Sequence, residues 1–197
     1  MKEIRFAGFG GQGIIRAGII LGKAVSLYDH NFSTMNQSFG PEARGGACSS
    51  TLLVSNKKIL YPYLTKTDIF VAMSAEAYHK FKGEIRKNGL LIYDADLVKP
   101  TGKMKAFPIP AIRFAEELGN RIFANLVILG FITAVTKIVS LEAMKQAIPD
   151  SVPERYIEIN MKAFDRGYEY GQKMLAEAGS EQDREGVQIM PSDAKKK

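Results

Sequence analysis

Gly8, Gly10 and Gly13, in the run Gly8-Phe9-Gly10-Gly11-Gln12-Gly13, have the G-x-G-x-x-G spacing that cradles phosphates. The chemistry needs glycine twice over. The turn requires backbone that other residues resist, and a side chain would hold an anion away from the amides. A helix opening just after the turn adds unpaired N–H groups and a partial positive charge. The alternative is that these glycines only let the first helix pack closely on the first strand. A second polar concentration lies in Gln37-Ser38-Phe39-Gly40-Pro41-Glu42-Ala43-Arg44-Gly45-Gly46. Here Arg44 beside Gly45 and Gly46 could clamp a phosphate or carboxylate, or could pair with Glu42 to hold the loop in shape. Asp94 and Asp96, two apart at a strand end, could hold a metal or a ribose, but such residues are more often turn formers and caps. Tools for self-contained catalysis do not stand out. His30 and His79 lack a nucleophile setting, and no H-E-x-x-H, paired C-x-x-C or G-x-x-x-x-G-K-[ST] pattern occurs. Cys48 is a lone thiol in a strand, better suited to a buried structural role than to a reactive one.

The elements that must carry these groups follow from periodicity. Lys2 to Ala7 reads as a strand, and Gly13 to about Tyr28 as a helix with Ile14, Ala17, Leu21, Ala24 and Val25 on one face. Asn31 to Met35 is a short second strand. It ends in Asn36-Gln37-Ser38, without the acidic residue that would take ribose hydroxyls, which speaks against a nicotinamide enzyme. Ala47 to Ser55, a turn at Asn56-Lys57-Lys58 and then Ile59-Leu60 suggest a β-hairpin at a sheet edge. Ile69–Met73 and Leu90–Tyr93 read as buried parallel strands, and Ser74 as the cap of a helix over Ala75–Phe81. An extended segment over Lys103–Pro108 and a short helix over Ala111–Leu118 come next. Ile122–Val139 is an apolar helix, better read as core than as interface, and Ser140 caps a helix ending before Pro149. Ser151-Val152-Pro153-Glu154 predicts a capping box for a last helix with Ile157, Met161, Phe164 and Tyr168 inward. The expected fold is α/β, a Rossmann-like open, mostly parallel sheet with a β-hairpin insertion and a helical C-terminal cover. Residues 1–178 form one domain and 179–197 a mobile tail. The glycine turn and the 37–46 loop are expected at the same strand-end edge, where ligands of such sheets sit.

The 197 residues suffice for one domain with a substantial core, and 46% hydrophobic and 24% charged residues suit a soluble globular protein. The net charge is +6, and the acidic and basic residues after Gly179 balance, so the excess lies on the body. A diffuse excess of that size suits anionic cofactors or acidic partner subunits; no aromatic-interleaved basic stretch points to nucleic acid. The single cysteine cannot form an intramolecular disulfide or ligate a cluster alone. No secretory leader is legible, and polar residues interrupt the apolar run at 122–139, so a cytoplasmic protein without a membrane span is expected.

Gly-Phe-Gly-Gly-Gln-Gly at 8–13, Gln-Ser-Phe-Gly-Pro-Glu-Ala-Arg-Gly-Gly at 37–46 and Val-Ala-Met-Ser-Ala-Glu-Ala-Tyr at 71–78 resemble the gamma subunit of 2-oxoacid:ferredoxin (acceptor) oxidoreductases. The Gly-Pro-Glu-Ala-Arg-Gly-Gly form looks most like the 2-oxoglutarate enzymes, and the resemblance spans Met1 to Gln172. It implies a subunit, inactive alone, of an enzyme that oxidatively decarboxylates a 2-oxoacid to acyl-coenzyme A and passes electrons to a ferredoxin-type acceptor. Thiamine diphosphate, magnesium and iron–sulfur clusters are then expected on alpha and beta partner subunits, with a delta subunit as a further candidate. The positions matching the family's coenzyme A region are Gly8, Gly10, Gly11, Gln12, Gly13, Gln37, Ser38, Gly40, Arg44, Gly45 and Gly46. No catalytic or metal-ligating residue is assigned to this chain. An indolepyruvate or branched-chain oxoacid enzyme, a plain nucleotide-binding protein and a ligand-free assembly module remain alternatives. Self-association of the isolated chain is also left open.

Overall fold

A computed structural model of the chain describes residues 1–39 and 47–185. Its six-stranded sheet has the order β2-β3-β1-β4-β5-β6, with β1 at Lys2–Phe9, β2 at Phe32–Phe39, β3 at Ala47–Ser55, β4 at Thr67–Ala72, β5 at Ile85–Asp94 and β6 at Lys105–Ile109. β1, β4, β5 and β6 are parallel neighbours, while β3 is antiparallel to both β1 and β2. The expected antiparallel pair therefore exists, with a different partner. Ile59 and Leu60 form no strand, and β3 pairs instead with β2, which reaches Phe39 rather than ending at Met35. Pro62, just beyond, has no N–H to give a ladder. This arrangement also removes the premise of the missing ribose acid, because β2 is an edge strand two places from β1 and not its parallel neighbour.

The helices are α1 (Ile14–Lys23), continuing as a π-helical turn to Tyr28, α2 (Ala75–Phe81), α3 (Ala111–Glu117), α4 (Ala124–Thr136), α5 (Leu141–Ala147) and α6 (Ile157–Glu185). α6 runs past Gly179, where the sequence reading ended the folded body, and residues 186–197 lie outside the described part. The expected caps form at α2 and α5: Ser74 Oγ accepts from the Ala77 amide and Ser140 Oγ from the Ala143 amide. The capping box at Ser151 does not form. Pro153 holds Val152 extended, a separate 3-10 turn intervenes at Glu154–Tyr156, and Ser151 Oγ is left without a partner.

Successive strand residues face opposite sides of the sheet, and the two sides are covered unequally. Ile4, Phe6, Leu52 and Ile92 join one large core with α1, α3, α4, α5 and α6, while Ala7, Phe70 and Leu91 join a small core under α2. α4 lies in the middle of the large core, buried from Ala124 through Ala134, with Phe107 of β6 meeting its Phe131 edge to face and Tyr170 of α6 tilted against the same ring. That explains why it is apolar on all sides, as expected of a core helix. Among the described residues no helix is long and apolar enough to cross a membrane.

α4 and α6 touch backbone to backbone. A Cβ on Gly130 would land on the Phe164 carbonyl oxygen, and one on Gly167 on the Val127 carbonyl oxygen. Gly171 sits against Ala134 further along, so the pairing advances in the same direction on both helices, and the two run parallel. Overpacking such a contact costs about 1–3 kcal/mol or more. Gly130→Ala is therefore expected to lower the midpoint of thermal unfolding by about 2–12 °C. Gly83→Ala, in open space, should stay close to the wild type.

At the opposite end of the sheet, Glu3 is buried. Its carboxylate accepts from the amides of Thr65 (2.6 Å) and Lys66 (3.0 Å), from Thr65 Oγ1 and from Arg86 Nη2 (2.6 Å). Burial alone would raise the pKa, but these donors outweigh it and hold the group below the ordinary carboxylate value. A depressed native pKa stabilises the fold above the unfolded-state value of about 4.3 and loses that contribution as pH falls through the native value. Glu3→Gln should cost about 1–3 kcal/mol at neutral pH. In denaturant titrations the gap to wild type should close as pH drops below about 4.

Candidate functional site

The glycine turn sits where β1 leaves the sheet. Gln12 braces it from within: its Oε1 accepts from the Phe9 amide at 2.7 Å, and its Nε2 donates to the Met73 carbonyl at the end of β4 at 2.9 Å. A Cβ on Gly8 would collide with the same Gln12 Oε1, so Gly8 leaves room for the brace. Gly11 (φ 93°) and Gly13 (φ 72°) occupy the left-handed region, and Gly11 faces open space. Gly13 is the N-cap of α1 and offers no side chain to its first amides, which leaves that helix start free for an external acceptor. Ser50 Oγ, buried in β3, donates to the Ile14 carbonyl at 3.1 Å and ties the helix start to the sheet.

These features open on a cavity of about 610 Å³. Gly10, Gly11, Gly13, Ile14, Ile15 and Arg16 supply one wall, Asn120, Ile122, Phe123 and Asn125 a second, and Val152, Pro153, Tyr156 and Asn160 a third, with Cys48 between. The three walls are the N-terminal approaches of α1, α4 and α6. Because α4 and α6 run parallel, both point their amino ends at the same space. Helix starts carry partial positive charge, each worth about 0.3–1 kcal/mol to a nearby anion. Among the described residues Arg16 is the one charged side chain in the wall. It is exposed and has no ion pair among the described residues. No carboxylate lines the cavity among the described residues.

The polar groups inside are amides. Asn125, buried in the first turn of α4, reaches the Gly13 carbonyl at 3.5 Å and receives the Leu126 amide on Oδ1. Asn160, buried in α6, gives Nδ2 to the Tyr156 carbonyl at 2.7 Å, and its Oδ1 takes no hydrogen bond from any described residue. Cys48 is buried, and burial pushes its thiol pKa up, away from the thiolate a nucleophile needs. The arrangement can hold an anion at the helix starts and an uncharged, partly polar chain between apolar walls.

Of the residues singled out in the sequence, Gly10, Gly11 and Gly13 line the cavity, whereas Gly8 and Gln12 shape the turn behind it. The second loop begins at the same edge. Phe9 pairs with Ala47 and Phe39 with Cys48, so the ends of β1 and β2 and the start of β3 lie side by side there. Gln37 and Ser38 are exposed residues of β2 outside the cavity wall. Gly40, Arg44, Gly45 and Gly46 lie outside the described residues. Asp94 is a cap, accepting from the Ile112 and Asp96 amides, whereas Asp96 pairs with Arg113, taking Nε at 3.1 Å and Nη2 at 2.7 Å. Burial raises the Asp94 pKa despite those amides. Among the described residues no group of three or more His, Cys, Asp or Glu side chains could hold a metal ion.

Sequence reasoning missed Arg16, Asn125, Tyr156 and Asn160. A polar residue in the first turn of an otherwise apolar helix marked Asn125, and the first-turn position after Gly13 marked Arg16. Asn160 carried no signal, because only the α4–α6 crossing brings it near the glycine turn.

A family model described as pyruvate ferredoxin/flavodoxin oxidoreductase matches residues 3–170. The 2-oxoglutarate synthase subunit KorC of Methanocaldococcus jannaschii is 47% identical over 178 residues, covering 88% of this chain and 95% of that one. The keto/oxoacid ferredoxin oxidoreductase gamma subunit from Geobacter sulfurreducens superposes with a TM-score of 0.77 at 39% identity, over 87% of this chain and 98% of the other. The 2-oxoglutarate:ferredoxin oxidoreductase from Magnetococcus marinus, solved with 2-oxoglutarate, coenzyme A and succinyl-CoA bound, gives 0.79 at 26% identity over 87% of this chain and 31% of that much longer one. The glycine turn, the edge shared with the second loop and the core built on α4 thus occur in a chain that belongs to the pyruvate ferredoxin/flavodoxin oxidoreductase family.

Proposed function

We propose that this chain is the gamma subunit of a multi-subunit 2-oxoglutarate:ferredoxin (acceptor) oxidoreductase, and that its cavity holds part of coenzyme A in a pocket completed by the alpha and beta subunits. Identity to the KorC subunits along nearly their whole length supports the first half. The observation that carries the second is the convergence of three helix starts and Arg16 on an apolar cavity that no carboxylate lines among the described residues.

Coenzyme A fits that donor set. Its phosphates match the amides of Gly10, Gly11 and Gly13, the uncapped start of α1 and the Arg16 guanidinium. Its uncharged, amide-bearing arm matches walls of Ile14, Ile15, Phe123, Val152 and Tyr156 interrupted by Asn125 and Asn160. When bound, coenzyme A supplies the thiol that takes up the acyl group. In this reading the chain binds and orients, and Gly8 and Gln12 keep the turn in shape. Gln37, Ser38, Gly40, Arg44, Gly45 and Gly46 contribute from the neighbouring loop on the same edge. Thiamine diphosphate, magnesium and the iron–sulfur clusters belong to partner subunits, a ferredoxin-type acceptor is served through the whole complex, and the complex works in the cytoplasm.

The purified chain is expected to show no 2-oxoglutarate-dependent reduction of ferredoxin or a viologen dye, and turnover should appear when the thiamine-binding subunits are added. Turnover by the chain alone would overturn the assignment. In the assembled enzyme Arg16→Ala should raise KM for coenzyme A about tenfold, as expected for losing one charge-assisted contact. KM for 2-oxoglutarate and the thermal midpoint should stay unchanged, since Arg16 has no protein partner among the described residues. Arg44→Ala is expected to move the same constant in the same direction. Unaltered coenzyme A kinetics in both variants would remove the site from this edge of the sheet.

A further inference from the structure

The face of the sheet opposite α1 is only partly roofed by this chain. α2 packs there on β1, β4 and β3. Over the edge strand β2 the cover is the connection between β3 and β4, whose Pro62 carbonyl accepts from Asn36 Nδ2 at 2.6 Å. Register puts Asn36 beside Thr51 and Arg5, and the Arg5 guanidinium stacks on Phe81 of α2, so this connection lies on the α2 side. It carries a row of apolar groups turned outward. Leu60 is 87% exposed, Tyr61 62% and Tyr63 60%, and Phe32 at the start of β2 is 46% exposed. Tyr61 and Tyr63 meet edge to face, with ring centroids 5.5 Å apart, which holds them as one rigid knob. Lys57 and Lys58 flank the row, exposed and without ion pairs among the described residues.

We infer that Phe32, Leu60, Tyr61 and Tyr63, rimmed by Lys57 and Lys58, form a docking surface for another subunit of the same oxidoreductase, one presenting an apolar patch bordered by carboxylates. An aromatic centre inside a charged rim is the anatomy of a specific protein interface, and large apolar side chains this exposed on one connection are uncommon on a free surface. The two unpaired lysines set the sign of the partner's rim. The Magnetococcus marinus chain, of which the matching part is 31%, shows this fold continuing into a larger body. The surface is separate from the cavity, which lies on the α1 side at the glycine turn.

The inference rests on the proposed function and is tested by binding of the full-length chain to the purified thiamine-binding subunits. Tyr61→Ala/Tyr63→Ala is expected to weaken that binding at least tenfold. Lys57→Glu/Lys58→Glu should weaken it at low salt, with the difference shrinking toward about 0.5 M salt as rim charges are screened. Circular dichroism and thermal unfolding of both isolated variants should match the wild type; should the tyrosine variant unfold, the lysine variant, which touches no core group, decides the matter. Wild-type affinity in the lysine variant at low salt, or in a folded tyrosine variant, overturns the inference and leaves the proposed function standing. Self-association of the isolated chain that the tyrosine variant abolishes, with subunit binding intact, overturns it in favour of a second copy. Failure of the wild-type chain to bind those subunits at all takes down both readings.

Discussion

The backbone contact between α4 and α6 sets the geometry of the rest of the molecule. With glycine at 130 and 167 each helix carbonyl enters the space a side chain would fill, so the two axes approach closely and share one direction. This closeness lets a helix as apolar as α4 be enclosed on all sides, with the sheet below it and α6 above. It also decides where the two amino ends emerge. Both open toward the turn at Gly10–Gly13, and the cavity is the space left between those ends and the start of α1. The site is a consequence of packing in the core, and loosening that contact would move two of its three walls together.

The third wall depends on a different device. The glycine turn has no side chain with which to hold itself, and the Gln12 amide does so by bridging the Phe9 amide and the Met73 carbonyl. The bridge joins the ends of two adjacent parallel strands, β1 and β4, and thereby fixes where the amides of Gly10–Gly13 face. Backbone amides held by hydrogen bonds to the sheet are preorganised donors, and an anion bound to them need not first order the loop.

Local signals in the sequence were enough for the strand–turn–helix unit, the capping serines at 74 and 140 and the inward face of α6. Each depends on residues within a few positions of one another. Where partners are distant, local pattern had nothing to say. Ala47–Ser55 reads correctly as a strand, but alternation does not specify a neighbour, and the insertion of β3 between β2 and β1 is settled by long-range pairing along its whole length. Ser151 and Glu154 have the spacing of a capping box, yet the chain between them is extended at Val152 and Pro153 and the helix begins only at Ile157. Asn125 and Asn160 stand on different helices and line one cavity only through glycines that, in sequence, resemble ordinary helix weaknesses.

The unequal roofing of the sheet fits a protein that works as part of an assembly. A strand buried on both faces reads as a continuous apolar run, as Ile69–Met73 does, and β4 is indeed covered on both sides. β2, by contrast, is mixed: Phe32-Ser33-Thr34-Met35-Asn36-Gln37-Ser38 presents hydroxyls and amides on each face. Those groups can hydrogen-bond water when the face is open and protein when it is covered, which suits a surface that exists in both states. A fully apolar edge would aggregate before meeting its partner, and a fully charged one would resist being buried. The composition of β2 and of the connection above it lies between those extremes, with tyrosines rather than phenylalanines as the more exposed rings. Tyrosine keeps a hydroxyl for water while offering a ring to a partner. That choice separates the face of β2 away from α1 from an accidental gap in the fold.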